Sequence, residues 1–141
     1  MAGYLNRVHL IGDIDRTPEI RHTQSGKKVA MFSVATNEGW TDKLTQQLIE
    51  RTEWHRVVIF HPGFVELIEQ EVTRGSRVYI EGQLQTRKWN DNQGYLHSVT
   101  EIVLHPRRSE FLVLGTAPIK DKLLPSLMDL EQMALPSNDD E

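Results

Sequence analysis

The stretch Thr52-Glu-Trp-His-Arg-Val-Val-Ile-Phe60 has the alternation and β-branched content of a strand. Alternate side chains of a strand point to opposite faces, so Trp54, Arg56, Val58 and Phe60 share one face. Glu53, His55, Val57 and Ile59 share the other. A half-buried strand normally turns its rings toward the core and its charge toward water. Two large rings beside an Arg instead suit a surface that meets flat, anionic groups. The theme recurs. Residues 77–89 end in Arg87-Lys88-Trp89, and Trp40 follows Gly39 at the close of another extended run, with Lys43 shortly after. Any single Trp reads equally well as core, because Trp is highly buried on average. The set does not, since all three Trp residues have a basic neighbour within three positions. Rings interleaved with cations on strands supply stacking platforms beside phosphate-pairing charge.

Working outward toward the N-terminus, residues 6–14 alternate apolar and polar (Val8, Leu10 and Gly12 against Arg7, His9 and Ile11) and read as a first strand. A turn at Arg16-Thr-Pro-Glu19 leads to a short extended piece at 20–23, and Gln24-Ser-Gly-Lys27 turns into a strand at 29–37. Residues 38–51 are polar with scattered Leu and no clear period, and read as a long hairpin loop. Toward the C-terminus, Pro62 stands at a favoured first helical position, and Phe64, Leu67, Ile68 and Glu71 follow at helical spacing, with Gly75 as a stop. A long strand at 77–90 contains Gly82, the sign of a sharp bend at a barrel corner. Asp91-Asn-Gln-Gly94 turns it back into a strand at 95–104, and 111–114 adds a short extended piece. A single helix between the third and fourth main strands suits an all-β, five-stranded OB-fold barrel, with hairpins at 38–51 and 85–98 as binding loops. A sandwich of the immunoglobulin type needs about seven strands and no helix, and fits less well.

The composition bounds the function. At 141 residues the chain is one domain, here 1–115, followed by a segment at 116–141 of different character. The net charge of −4 resides in that segment, whose six acidic residues face Lys120 and Lys122; residues 1–115 hold 14 acidic and 14 basic side chains. A neutral domain binds polyanions only if its cations converge on one face. Residues 120–135 are Leu- and Met-rich and broken by Pro125, which reads as a frayed terminal helix before a solvated, acidic end. The absence of Cys excludes disulfides, thiolate zinc sites and thiol catalysis. There is no apolar run long enough to span a bilayer, so no membrane partner is expected. The N-terminus carries neither a signal nor a transit pattern, which gives the expectation of an unprocessed intracellular chain.

Enzyme chemistry finds no foothold in the motifs. The six His residues form no i, i+2 or i, i+4 pair, so no metal site is expected. Ser25-Gly26-Lys27-Lys28 lacks both the leading Gly, replaced by Arg21, and the Ser or Thr after the first Lys that a phosphate loop requires. Neither Gly-x-Ser-x-Gly nor His-Glu-x-x-His occurs, and the helix carboxylates Glu66 and Glu69 read as solvated surface. The chain is expected to be no enzyme and to need no cofactor.

Five stretches carry a resemblance: Asn6-Arg-Val8, Thr17-Pro-Glu-Ile-Arg21, Phe32-Ser-Val-Ala-Thr-Asn37, Thr52 through Phe60, and Gly75-Ser-Arg-Val-Tyr-Ile-Glu-Gly-Gln-Leu-Gln-Thr-Arg-Lys-Trp89. With them the sequence, from Asn6 to about Leu114, resembles the bacterial and mitochondrial single-stranded DNA-binding proteins. The resemblance implies base stacking on Trp40, Trp54, Phe60 and Trp89, and phosphate contacts from Arg7, Arg21, Lys43, Arg56, Arg74, Arg87 and Lys88. It implies a homotetramer with the first strand (Val8, Leu10) and His55 at subunit contacts. It also implies a role in replication, recombination and repair, in the bacterial cytoplasm at the nucleoid or, alternatively, in the mitochondrial matrix. The chain departs from the family in having Thr41, His61-Pro62 and Gln85 where basic residues are frequent. It also lacks the Gly/Pro/Gln-rich linker and apolar tip through which bacterial members dock replication and repair proteins. The rival expectations are an OB-fold interaction module of the primosome kind and an RNA binder, since stacking alone does not distinguish the sugars. Keeping all four stacking rings favours the DNA reading over the primosome-like module.

Overall fold

The computed structural model describes residues 3–116. The elements are β1 (Val8–Ile14), β2 (Glu19–His22), β3 (Lys28–Thr41), β4 (Leu48–Ile59), α1 (Pro62–Glu71), β5 (Ser76–Asn90), β6 (Leu96–Leu104) and β7 (Glu110–Thr116). β1, β3, β4, β6 and β5 are hydrogen-bonded in that order, and β5 pairs back onto β1, which closes a five-stranded barrel. β2 and β7 lie outside the ring, on β3 and β5. All pairings are antiparallel except β4–β6, a short parallel seam of Val57–Ile102, Val58–Val103 and Ile59–Leu104. This is the expected OB architecture, with α1 between the third and fourth barrel strands.

Two glycines let the ring close. Gly82 stands where β5 changes partner: residues 77–82 pair with β1, and Gln83 onward pairs with β6. A Cβ there would lie 2.7 Å from the Val103 carbonyl oxygen and 2.9 Å from Leu104 Cδ1. At Gly12 a Cβ would come within 2.6 Å of Val34 Cγ1 and press on the Ala35 carbonyl oxygen, where β1 crosses from β5 to β3. Inside, Ile14, Val34, Val57, Ile59, Val78, Ile80 and Leu104 are fully buried. α1 caps one end of the barrel by inserting Val65 and Ile68, and Phe111 meets Phe32 edge-on at 6.2 Å. The helix begins at His61, whose Nδ1 accepts the N–H groups of Gly63 (3.1 Å) and Phe64 (3.3 Å). His at an N-cap is an uncommon choice, but its acceptor nitrogen does the work usually given to Ser or Asp.

Two local expectations are revised. Residues 38–51 are not a loop: β3 and β4 pair as far as Thr41–Leu48, leaving a turn of only 42–47. The hairpin stands clear of the barrel with both faces in water, so no apolar period marks it. Helix α1 ends at Glu71, short of Gly75, which with φ +92° serves the turn into β5. Val8 and Leu10 pack against the core, so the outward side chains of β1 are His9, Ile11 and Asp13. The expectations for the acidic segment lie outside the described residues, Thr116 apart.

Candidate nucleic-acid interface

β3, β4, β6 and β5 form one continuous sheet whose outer face is fixed by register. Trp54 and Arg56 of β4 lie beside Ala35 and Ser33 of β3. On the far side, Gln85 pairs with Glu101 and Trp89 with His97. The alternation read from Thr52–Phe60 holds: Val57 and Ile59 are in the core, while Trp54 is 57 % exposed and Phe60 40 %. Trp89 is similarly half in water, at 41 %. A groove of about 570 Å³ runs beside Trp54, walled by Arg16, Thr17, Glu19, Met31, Ser33 and Arg56. Exposed rings in such a setting are available for stacking rather than for packing.

The centre of the face is a carboxylate that sequence reading passed over. Glu101 has a side chain only 5 % exposed and accepts two hydrogen bonds from Arg87, at 3.0 and 3.3 Å, and one from Arg56 at 3.5 Å. The Arg87 hydrogen bond, and then the charges of Arg87 and Arg56, hold the Glu101 carboxyl below the usual range against the opposing effect of burial. The same hydrogen bond raises Arg87. In the sequence Glu101 looks like one more solvent-facing residue of an alternating strand. Only the parallel seam puts it beside Arg56, and topology of that kind leaves no local signal. Because the folded pKa is lowered, this ion cluster stabilises the fold above about pH 4.3, and the contribution is lost as pH falls through the folded value. Both arginines are half-exposed, so a discounted effect of about 1–2 kcal/mol is expected for Glu101→Gln at pH 7. Thermal melting across pH checks it: the gap between wild type and variant should shrink below about pH 4.

Histidines back two of the rings. His97 stacks on Trp89 at 5.3 Å and shares a 2.7 Å hydrogen bond with Asp91. That bond, with the N–H groups of Tyr95, Gln93 and Gly94, lowers the Asp91 carboxyl. Arg87 covers the Trp89 ring at 5.0 Å. His105 lies parallel to Phe60 at 6.0 Å and is hydrogen-bonded to Gln85 at 2.6 Å. Neither histidine was singled out, because each neighbours its ring only through strand pairing.

The structure thus brings Trp54, Arg56, Phe60, Arg87 and Trp89 onto one face, and disperses the remaining candidates. Continuous register puts Trp40, opposite Ile49, on the other face of the β3–β4 ribbon from Trp54. Lys43 is at that ribbon's tip. Lys88 alternates away from Arg87 and Trp89, and Arg74 precedes β5 at the strand's opposite end. Arg21, on β2, donates to Glu19 at 2.7 Å. Arg7 donates to the Arg108 carbonyl at 2.7 Å. His55, half-buried where the ribbon leaves the barrel, is hydrogen-bonded to Thr36 at 3.0 Å. Among the described residues no cluster of three His, Asp or Glu side chains is arranged to hold a metal ion.

Residues 5–112 match the single-strand binding protein family. The chain is 55 % identical over 116 residues to a single-stranded DNA-binding protein of Rickettsia felis, covering 82 % of this chain and 76 % of the relative. It is 55 % identical over 114 residues to that of Rickettsia prowazekii, covering 81 % and 75 %. Among solved structures it is similar to the Plasmodium falciparum SSB complex with ssDNA, with a TM-score of 0.73, 39 % identity, and coverage of 82 % of this chain and 99 % of the other.

Proposed function

Because the chain belongs to the single-strand binding protein family, and so binds single-stranded DNA without catalysing a reaction on it, we propose that the strand lies across the β3–β4–β6–β5 face. Bases stack on Trp54, Phe60 and Trp89, and phosphates pair with Arg56 and Arg87 between them. The observation that carries this reading is the exposure of those three rings together on one face, with Arg56 and Arg87 between them. Trp40, Lys43 and Lys88 extend the path along the two ribbons, with Arg7, Arg21 and Arg74 as outlying contacts. Coating strands in this way serves replication, recombination and repair. The bacterial relatives support a setting in the bacterial cytoplasm, at the nucleoid, over the mitochondrial matrix.

The assembly we propose is a homotetramer. Ile11, Tyr79 and Leu112 lie side by side across β1, β5 and β7, and Ile11 (57 %) and Leu112 (49 %) expose their side chains. The Asp13–Arg77 ion pair (2.8 Å) and the His9–Glu81 contact (3.7 Å) edge this patch, the pattern of an interface core with a polar rim. Val8 and Leu10 support it from beneath, and His55 takes part at the other end of the barrel wall. One titration followed by tryptophan fluorescence and light scattering tests both statements. Oligo(dT) should quench the fluorescence more strongly than oligo(rU) or duplex DNA, and the particle should weigh four times the 16.3 kDa chain. Unchanged fluorescence with dT would overturn the binding face, and a single-chain mass would overturn the tetramer.

A further inference from the structure

The β6–β7 turn, residues 105–109, carries a concentration of positive charge that neither the motifs nor the stacking face explains. Resting on the strand path given above, we propose that Arg107 and Arg108 in this turn form an additional backbone-binding site. It takes the phosphates of the segment next to the base stacked at Phe60.

Position comes first. The turn opens at His105, the residue parallel to the Phe60 ring, and Phe60 itself donates its N–H to the Leu104 carbonyl at 2.9 Å. A shallow groove of about 430 Å³ leads away from there, lined by Gln83, His105, Pro106, Arg107 and Arg108. Gln83 is on the same face of β5 as Gln85, which holds His105, so groove and stacking face are one surface. A strand leaving Phe60 meets this groove without turning a corner of the barrel.

Electrostatics decides what the groove takes. Arg21, Arg56 and Arg87 are each in an ion pair with a carboxylate. Arg7, Arg107 and Arg108 are in none among the described residues. Arg7 reaches the turn through its bond to the Arg108 carbonyl, so three guanidinium groups outside any ion pair among the described residues belong to one small region. The neighbouring carboxylate, Glu110, accepts the Phe111 N–H at 3.2 Å. Three guanidinium groups outnumber that one carboxylate, and an anionic ligand relieves the excess positive charge.

The turn is also pre-organised. Ser109 Oγ donates to the His105 carbonyl at 2.5 Å, the Arg7 bond fixes the Arg108 carbonyl, and Pro106 restricts the backbone. Asn6 ties the segment before β1 to β5, giving to the Leu84 carbonyl and receiving from the Leu84 N–H, both at 2.9 Å. Two arginine side chains thus project from a backbone that needs little ordering on binding.

The test is the salt dependence of oligo(dT) binding by the full chain. Each phosphate contact on a single strand contributes about 0.7 to the slope of log K against log salt. Arg107→Gln/Arg108→Gln should therefore flatten the slope by about 1.4, with the affinity loss shrinking as salt rises, while fluorescence quenching at saturation stays the same. The charge-conserving Arg107→Lys/Arg108→Lys should keep the wild-type slope. Arg107→Gln alone, at a side chain with no hydrogen bond or ion pair in the described protein, should flatten it by about 0.7 and guards against a folding defect in the double variant. A wild-type slope in the Gln variants, with wild-type protein binding normally, would overturn this site and leave the stacking face intact. Failure of the wild type to bind oligo(dT) would instead overturn the strand path on which the site depends.

Discussion

Trp54→Ala is expected to weaken oligo(dT) binding by about 1–3 kcal/mol, or about 5- to 150-fold, and to leave the melting temperature almost unchanged. Both halves follow from the same geometry: the ring is 57 % exposed on the outer face of β4, while Val57 and Ile59 beside it hold the core. Removing it takes away a platform without opening a cavity. Trp89→Ala should fall in the same range. It carries a secondary loss, because Arg87 and His97 lie against that ring and would be freed from it. Trp54→Phe should recover most of the affinity, since stacking needs a π-face more than a particular ring. Fluorescence-independent measurement, such as anisotropy of a labelled strand, checks these values. A Trp54→Ala protein that melts many degrees lower would show the ring to be structural and remove it from the binding face.

The opposite signature is expected at the glycines. Gly12→Ala should destabilise the barrel by about 1–3 kcal/mol, because the added methyl meets backbone where β1 passes from one partner to the other. For a domain of this size that is a fall of roughly 5–20 °C in melting temperature. Gly82→Ala should behave alike, its methyl meeting the Val103 carbonyl across the β5 corner. The affinity of the molecules that remain folded should stay near wild type, since neither position is on the β3–β4–β6–β5 outer face. Calorimetric melting beside a binding isotherm separates the two effects, and unchanged melting in both variants would show that closure does not depend on these close approaches.

What the sequence disclosed was whatever alternation or a turn residue could encode locally. Residues 52–59 of β4 were legible in their alternation, and Gly82 announced its corner. The order of strands around the single helix was enough for the barrel. The β3–β4 hairpin was not legible as strand, because its residues are wet on both faces and hydrophobic period is a signal of one-sided burial. That Val8 and Leu10 turn inward was not legible either: alternation says that they share a face, not which face is inside. The site was half legible. Trp54, Phe60, Arg56, Arg87 and Trp89 came from rings and cations close in sequence. Glu101, His97 and His105 reach those residues across β6, and a cross-strand neighbour has no fixed spacing along the chain.

The parallel seam between β4 and β6 spans only Val57–Ile59 and Ile102–Leu104. Toward the ribbon tips the described residues of the β3–β4 and β5–β6 ribbons share no strand pairing, only the Arg56–Glu101 contact at the seam's edge, and a two-stranded ribbon twists and bends more readily than a wide sheet. Trp54 sits just outside the seam on one ribbon, and Trp89 far out on the other. The gap between them therefore works as a caliper rather than a mould. Its opening is set by two arms that meet at a short hinge, each arm held by its own ladder of pairings. How far apart the two arms stand is a mechanical property of the chain, set by how few residues join its two halves.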